Sequence, residues 1–173
     1  MSATYEPSLA KFTNPLTEFE QTAENSGKRL VIGVAIMRRA TTTPQVLVVQ
    51  RAAHETLFPD LYELPGGKCE STDTHLLETV SRETFEETGY KVQRIVAEFP
   101  GFEYSTPKGT ARQYNFVVEV EGGTERDPIL DPNEHQAFAW VDEGNFEGFV
   151  MSGAMRVVVA DALAAVKQLS SSS

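Results

Sequence analysis

The sequence predicts a single α/β domain, and three observations support that prediction. The chain has 173 residues, a length that suits one hydrophobic core better than two. Short β-favouring apolar runs alternate with segments of helical periodicity, and no internal repeat or interdomain linker separates them. We therefore place the domain at residues 29–169, after an N-terminal extension at residues 1–28 and before a disordered serine tail at residues 170–173.

Each element follows from a local pattern. The extension contains one short candidate helix, at residues 16–25. Residues 30–37 and 45–50 are continuous apolar runs, typical of two buried strands. From His75, apolar side chains recur at helical spacing until Gly89 ends the helix. Further strands are expected at residues 92–99, 113–120 and 137–141, and an alanine-rich helix at residues 155–169.

Composition excludes several functions. Fifteen basic and 25 acidic residues give a net charge of −10, which argues against a nucleic-acid polymer as partner, because such binding needs Lys and Arg to neutralise phosphates. No apolar stretch reaches the roughly 20 residues that span a bilayer, so no membrane partner is expected. Cys69 is the only cysteine, and the N-terminus lacks a secretory pattern. We expect a cytoplasmic protein.

The chemically informative segment is the helix that begins at His75. Glu83, Glu86 and Glu87 stand at i, i+3 and i+4, so their carboxylates share one helix face, next to Arg82. Like charges about 4 Å apart repel by about 1 kcal/mol even in water. An acidic helix face can simply be solvated, but here a Gly-Gly turn precedes the helix and an apolar stripe anchors it. The pattern predicts a site for a hard dication such as Mg²⁺, which also binds substrate phosphates.

The stretch from Gly67 to Tyr90 resembles the signature of the Nudix hydrolases. Its second half, Arg-Glu-Thr-Phe-Glu-Glu-Thr-Gly-Tyr, fits that signature at every charged and glycine position. Its first half has one inserted residue, which we place in the polar loop before the helix. The carboxylate that buttresses Arg82 is therefore expected from Asp73 or Glu70.

The resemblance implies a fold and a reaction. The fold would be a Nudix-type α/β/α sandwich with a mixed central sheet and a loop-helix-loop catalytic motif. The reaction would be hydrolysis of a small-molecule diphosphate, namely a nucleoside diphosphate linked to another moiety, by attack of water at phosphorus. The cofactor would be Mg²⁺, with Mn²⁺ as the alternative.

The resemblance also implies roles for the motif residues. Glu86, Glu87 and the carbonyl of Gly66 would be metal ligands, and Glu83 would be a ligand or an organiser of the attacking water. Arg82 would be structural, pairing with carboxylates so that they keep one orientation.

Members of this family draw the general base from different positions, frequently from a loop after the motif. We choose Glu134, which precedes the Trp140 strand and is also a candidate metal ligand, with Glu103 in reserve. A surface loop acid is an equally good reading of either residue.

Substrate contacts are expected from five further residues. The cations Arg51, Lys108 and Arg112 are candidates for contacts with phosphate, although single surface cations are usually only solvated. Phe102 and Tyr104 are candidates for stacking on a base.

Two alternatives remain open at this stage. The substrate could be a non-nucleotide diphosphate, such as a prenyl diphosphate, that is hydrolysed or isomerised. Alternatively, the chain could be a nucleotide-binding module that has lost the reaction. The wall of the pocket beyond the metal distinguishes a nucleotide from a non-nucleotide substrate. Paired aromatic residues with Asn, Gln or Asp nearby favour a nucleotide, and a wall of apolar side chains favours a prenyl diphosphate. A homodimer, with the N-terminal extension as its arm, is a further possibility.

Overall fold

The computed structural model describes residues 3–39 and 43–171. Its strands are β1 (Thr4–Tyr5), β2 (Arg29–Arg38), β3 (Gln45–Arg51), β4 (Tyr62–Glu63), β5 (Val92–Thr106), β6 (Gly109–Val120) and β7 (His135–Val141). Its α-helices are α1 (Leu16–Glu20), α2 (Leu76–Thr88) and α3 (Gly153–Ser171), and short 3₁₀ segments cover Pro7–Thr13 and Phe146–Gly148. The predicted order of strands and helices is confirmed.

The strands form one mixed sheet. Its order is β1-β5-β6-β2-β3-β4, with β7 beside β3. The pairs β1–β5 and β2–β6 are parallel, and the others are antiparallel. Helix α2 covers one face and α3 covers the other. The predicted α/β/α sandwich with a mixed central sheet is therefore confirmed.

The central strand β2 is apolar throughout because both of its faces are covered. Ile32 and Val34 pack in the layer under α2, whereas Ala35 and Met37 pack in the layer under α3. This explains why the sequence shows a continuous apolar run here rather than a polar–apolar alternation.

The N-terminal segment packs onto the α2 face of the sheet. Leu9, Phe12 and Leu16 are buried in the core of that layer, and β1 pairs with the start of β5. Helix α1 ends at Glu20, five residues before the predicted end, and turns follow it. Apolar burial therefore ties most of this extension to the domain.

Helix α3 is longer than predicted at both ends. Ser170 and Ser171, which were expected in a disordered tail, continue the helix, and their Oγ atoms donate to the carbonyls of Val166 and Lys167. Such back-bonding satisfies the hydroxyls without leaving the helix. Residues 172 and 173 lie outside the described residues. No helix within 3–39 or 43–171 is long and apolar enough to cross a membrane.

The site is positioned by a gap in the sheet. Strands β2 and β3 pair through only two residues each, and the loop before α2 lies along the rest of β2. There the Ile32 N–H donates to the Gly67 carbonyl and the Val34 N–H donates to the Pro65 carbonyl, both at 2.8 Å. Gly66 lies between them with φ +150°, and a Cβ on it would be 2.1 Å from the Ile32 carbonyl oxygen. Only glycine fits this position.

Candidate active site

Helix α2 carries the acidic residues and is capped at both ends. The His75 Nδ1 accepts from the Glu78 N–H at 3.1 Å, which satisfies one of the unpaired N–H groups at the start of the helix. At the other end Gly89 adopts φ +65°, and its N–H donates to the Phe85 carbonyl at 2.8 Å. With its apolar stripe in the core, the helix is held in one orientation.

Arg82 clamps the loop to the helix. Its Nε and Nη2 donate to the two carboxylate oxygens of Asp73, each at 2.9 Å, and Nη2 also donates to the Lys68 carbonyl at 3.0 Å. Its Nη1 donates to Glu83 Oε1 and Glu86 Oε2, each at 2.9 Å. The guanidinium therefore holds three carboxylates in fixed positions.

Asp73, and not Glu70, supplies the carboxylate that pairs with Arg82. Glu70 contributes only its backbone N–H, which donates to Asp73 Oδ2 at 2.9 Å, and Thr79 Oγ1 donates to the same oxygen at 2.9 Å. Burial opposes a charge on Asp73, but these hydrogen bonds and the guanidinium hold the pKa of its carboxyl below the ordinary value. The inserted residue is thus accommodated without loss of the clamp.

The three glutamates of the motif differ in exposure. Glu83 and Glu87 are buried against the loop, while Glu86 remains exposed beside Arg82. The Gly66 N–H donates to Glu87 Oε2 at 2.8 Å. A Cβ on Gly67 would lie 2.5 Å from Glu83 Oε1, so that glycine allows the carboxylate to approach the backbone.

Burial makes the site electrostatically unfavourable for its own carboxylates. It raises the pKa of Glu87 well above the ordinary value, against the Gly66 hydrogen bond, and the nearby charges of Glu83, Glu63 and Glu134 raise it further. Burial also raises the pKa of Glu83, although Arg82 opposes that effect. A bound dication would relieve this accumulated negative charge.

Glu134 lies close to the glutamates of α2. It precedes β7, and Glu87, Glu134 and His135 each offer a ligand atom within 4.8 Å of the others. His135 is buried, with Nε2 3.4 Å from Glu63 Oε1 and with no hydrogen-bond partner for Nδ1 within the described residues. The structure therefore brings Glu134, one of the residues chosen from the sequence, to the acidic cluster.

The sequence did not identify His135 or Glu63. The three histidines lack the spacing of a zinc site, and Glu63 belongs to the two-residue strand β4. One signal was present, because His135 is adjacent to Glu134 in the sequence.

The donor set fits a hard divalent cation. Carboxylate and carbonyl oxygens are the ligands that Mg²⁺ and Mn²⁺ prefer. The carbonyls of Pro65 and Gly67 accept hydrogen bonds from β2, and the Gly66 carbonyl lies between them on the same loop as the N–H that binds Glu87. The residues of the loop and of α2 thus present oxygens to one region.

A cavity of about 600 Å³ has Glu63 in its wall. Four of the five expected substrate contacts line it: Arg51, Lys108, Phe102 and Tyr104. The rings of Phe102 and Tyr104 are 5.3 Å apart between centroids, with their planes at 32°. Because Glu63 Oε1 lies 3.4 Å from His135 Nε2, Glu63 connects the cavity to the acidic cluster.

Arg51 is already engaged within the protein. It donates to Glu63 Oε1 at 2.8 Å, to Glu55 Oε2 at 3.0 Å and to the Leu57 carbonyl at 2.8 Å. Its guanidinium therefore fixes the loop after β3 against β4, and any contact with phosphate would compete with these bonds.

Arg112 does not line this cavity, and its expected contact with phosphate stays a prediction. Arg112 pairs with Glu24 and, at 2.7 Å, with Glu103, and it donates to the Tyr114 hydroxyl at 3.0 Å. Side chains alternate along a strand, so the neighbouring Gln113 lines the cavity while Arg112 lies with the N-terminal segment. Glu103, the reserve base, is likewise paired away from the acids.

Comparison with known proteins identifies related sequences and folds. A model of the NUDIX domain matches residues 27–156. The NUDIX domain of Shewanella oneidensis NrtR, solved in complex with ADP ribose, has a TM-score of 0.66 and 16% identity over 84% of this chain and 93% of that one. A C. elegans Ap4A hydrolase has a TM-score of 0.64 and 16% identity, covering 81% and 98% of the two chains. The MutT NUDIX hydrolase of Burkholderia pseudomallei has a TM-score of 0.55 and 20% identity, covering 79% and 98%. No curated protein matches the chain.

The Asp73–Arg82 pair should stabilise the fold in a pH-dependent way. We expect Asp73→Asn to lower the free energy of unfolding by about 1.5–3 kcal/mol at neutral pH, because charged hydrogen bonds to a buried group are lost. A lowered pKa stabilises the folded state above the ordinary pKa of about 4, and that stabilisation disappears as the pH falls through the lower folded-state value. Urea unfolding across this range should therefore show the two proteins converging in acid. Glu70→Gln, which leaves the clamp intact, should have the wild-type free energy of unfolding. An equal loss of stability in both variants would contradict the assignment of Asp73 as the partner of Arg82.

Glu87 should destabilise the metal-free protein. Its pKa is raised, so the ionised form costs stability once the pH exceeds the ordinary value of about 4, and this cost is absent in stronger acid. With a chelator at neutral pH, we expect Glu87→Gln to raise the melting temperature by about 2–4 °C, equivalent to about 1 kcal/mol. Added Mg²⁺ should raise the melting temperature of the wild type more than that of the variant.

The matched control for this measurement is Glu143→Gln, because Glu143 pairs with Lys167 away from the site. It should respond to Mg²⁺ as the wild type does. A Glu87→Gln protein that is less stable than wild type in chelator would show that the carboxylate is structurally favourable.

Proposed function

The chain belongs to the Nudix hydrolase family, as its sequence motif predicted, and from this premise we propose that it is a cytoplasmic, Mg²⁺-dependent pyrophosphohydrolase. Its substrate would be a nucleoside diphosphate linked to another moiety, cleaved by attack of water at phosphorus. The observation that carries the proposal is Glu87, a carboxylate that is 5% exposed, surrounded by further acids and oriented by a backbone N–H of the glycine loop.

The cation would be held by side chains from two segments and by one carbonyl. These are Glu83, Glu86 and Glu87 on α2, Glu134 before β7, and Gly66 on the loop. When bound, divalent cations lower the pKa of a coordinated water and offset negative charge on phosphate oxygens. Mn²⁺ would satisfy the same oxygen donors.

The protein's own groups supply orientation and proton transfer in this proposal. Arg82 keeps Glu83 and Glu86 aligned through its bond to the buried Asp73 carboxylate. We assign the general base to Glu134, which is exposed to solvent yet close to Glu87, so that it can take a proton from water and release it to solvent.

The wall of the cavity favours a nucleotide over a prenyl diphosphate. Two aromatic rings, Phe102 and Tyr104, stand next to the amide of Gln113 in this wall. An apolar chain would offer no donor to the oxygen of that amide, whereas a base can stack on the rings and hydrogen-bond to the amide. ADP ribose, the ligand named for the NrtR domain, is itself a nucleoside diphosphate linked to a sugar.

Substitution of the acids tests the proposal. We expect Glu86→Gln and Glu87→Gln each to lower kcat by about 10²–10³, since this is what loss of one preorganised electrostatic group costs in other enzymes. The measurement is formation of the monophosphate products, separated by chromatography, from a panel of nucleoside diphosphate derivatives and prenyl diphosphates incubated with Mg²⁺. Glu143→Gln is the control that keeps full activity, and chelation should abolish the activity of all forms.

The panel also separates the alternatives. Full turnover in both Glu86→Gln and Glu87→Gln would remove the acids from the mechanism. Turnover confined to prenyl diphosphates would replace the nucleotide reading. Nucleotide binding in calorimetry without metal-dependent cleavage of any compound in the panel would identify a binding module that has lost the reaction.

A further inference from the structure

A buried pair of amides lies on the cavity side of β6. Gln113 and Asn115 are two residues apart, so their side chains share one face of the strand. Both are at least 94% buried. The Gln113 Nε2 donates to Asn115 Oδ1 at 2.8 Å, and the Asn115 Nδ2 donates to the Pro100 carbonyl at 2.6 Å. Such a buried polar pair in an otherwise apolar layer calls for a functional explanation.

Glycines make room for this pair. A Cβ on Gly33 would lie 2.5 Å from Asn115 Oδ1 and 2.8 Å from Gln113 Nε2. A Cβ on Gly101, within the β5 bulge between Phe99 and Phe102, would lie 2.0 Å from the Gln113 carbonyl oxygen. The backbone around the amides therefore excludes larger residues on two sides.

The hydrogen bonds determine which way the Gln113 amide points. The Pro100 carbonyl can only accept, so the NH₂ group of Asn115 must face it. The Oδ1 of Asn115 then faces Gln113 and requires that residue's NH₂ group. This leaves the Gln113 Oε1 without a donor within the described residues.

That oxygen is accessible from the cavity. Within the described residues, the buried side-chain nitrogen and oxygen atoms that lack a partner are His135 Nδ1 and Trp140 Nε1. The unpaired Gln113 Oε1 does not belong to this set, so it is reached by solvent, and Gln113 lines the cavity. The fixed amide thus presents an acceptor and, beside it, the second N–H of Nε2.

The amide and the catalytic loop are neighbours. A Cβ on Gly66 would lie 3.0 Å from the Cα of Gly33, the same residue on which the Gln113 amide packs. The Gly66 N–H in turn holds Glu87. A diphosphate bound at the acids would therefore extend its attached group toward Gln113, Phe102 and Tyr104.

We propose that Gln113 is the specificity-determining residue for an adenine base, an inference that rests on the proposed hydrolysis of nucleotides. Adenine offers an amino donor beside a ring-nitrogen acceptor, which is the pattern that a glutamine amide pairs with in two parallel hydrogen bonds. Hypoxanthine, guanine and uracil carry a carbonyl in place of this amino group and would oppose Oε1. Phe102 and Tyr104 supply the stacking surface for a two-ring base.

AMP and IMP are the sharpest probes, because their bases differ only at one edge: the amino donor of adenine is a carbonyl acceptor in hypoxanthine, and the adjacent ring nitrogen N1 changes from an acceptor to an N–H donor. We expect the wild type, titrated calorimetrically with Mg²⁺, to bind AMP at least about tenfold more tightly than IMP. Gln113→Met, of similar length and without hydrogen-bonding groups, should bring this ratio close to one. Gln93→Met, an exposed site elsewhere in the sheet, should retain the wild-type ratio.

Two further measurements keep the result interpretable. Inorganic pyrophosphate, which has no base, should bind wild type and Gln113→Met equally, which shows that the phosphate site is intact. Gln113→Asn keeps an amide but withdraws it by one methylene, and it should also lose the preference for AMP; this variant decides the matter if Gln113→Met does not fold.

The outcomes separate this proposal from the proposed function. Equal affinities for AMP and IMP in the wild type, or an unchanged ratio in both Gln113 variants, would overturn the role of Gln113 while hydrolysis stands. If the ratio of AMP to IMP affinity depends on Gln113 but the protein cleaves no diphosphate, the adenine site is supported and the proposed hydrolysis is contradicted.

Discussion

The burial of the Glu87 carboxylate is the constraint on which the site depends. Its surroundings disfavour negative charge, since it is shielded from solvent and Glu63, Glu83 and Glu134 are nearby. The single N–H of Gly66 orients one oxygen but does not neutralise the charge. The folded chain therefore has negative charge without a compensating cation where the loop meets helix α2. A feature that costs stability is typical of functional sites, where a ligand supplies the missing interaction.

Arg82 explains why the carboxylates of Glu83 and Glu86 stay close together. Without a basic partner, carboxylates at i and i+3 would rotate away from one another toward solvent. The guanidinium is held by the buried Asp73, and its Nη1 reaches both Glu83 and Glu86. Because Asp73 is itself held by the Glu70 N–H and Thr79, an extra residue in this loop leaves the clamp unchanged. The clamp does not extend to Glu87, whose orientation comes from the loop.

The parts of the structure that were predictable from sequence are those governed by local periodicity. Helix α2 has the predicted bounds because the His75 and Gly89 caps and the apolar stripe are all local signals. Strands β5 and β6 are much longer than predicted, since Pro100 and Gly101 argue against a strand. The structure absorbs them in a bulge, which only the pairing with β6 reveals.

The site itself was predictable only in part. The acids of α2 and their shared helix face followed from spacing, whereas their different burial depends on how the loop packs along β2. The sequence did not show that Gln113 lines the cavity while Arg112 lies with the N-terminal segment, because strand alternation assigns neighbouring side chains to opposite faces but does not say which face borders the cavity. His135 and Glu63 come from β7 and β4, which lie on either side of β3, and a single sequence carries no signal of that adjacency.

Both halves of the site occur where regular sheet pairing is interrupted. The separation of β3 from β2 lets the glycine loop lie beside β2, which directs the Gly66 N–H toward Glu87. The bulge in β5 turns the Pro100 carbonyl toward Asn115, which fixes the amides of β6. Gly33 lies at both interruptions: a Cβ on Gly33 would be 2.5 Å from Asn115 Oδ1, and its Cα would be 3.0 Å from a Cβ on Gly66. The geometry that brings the Gly66 loop next to the amides of the cavity wall therefore depends on Gly33, which places no side chain in the middle of the central strand β2.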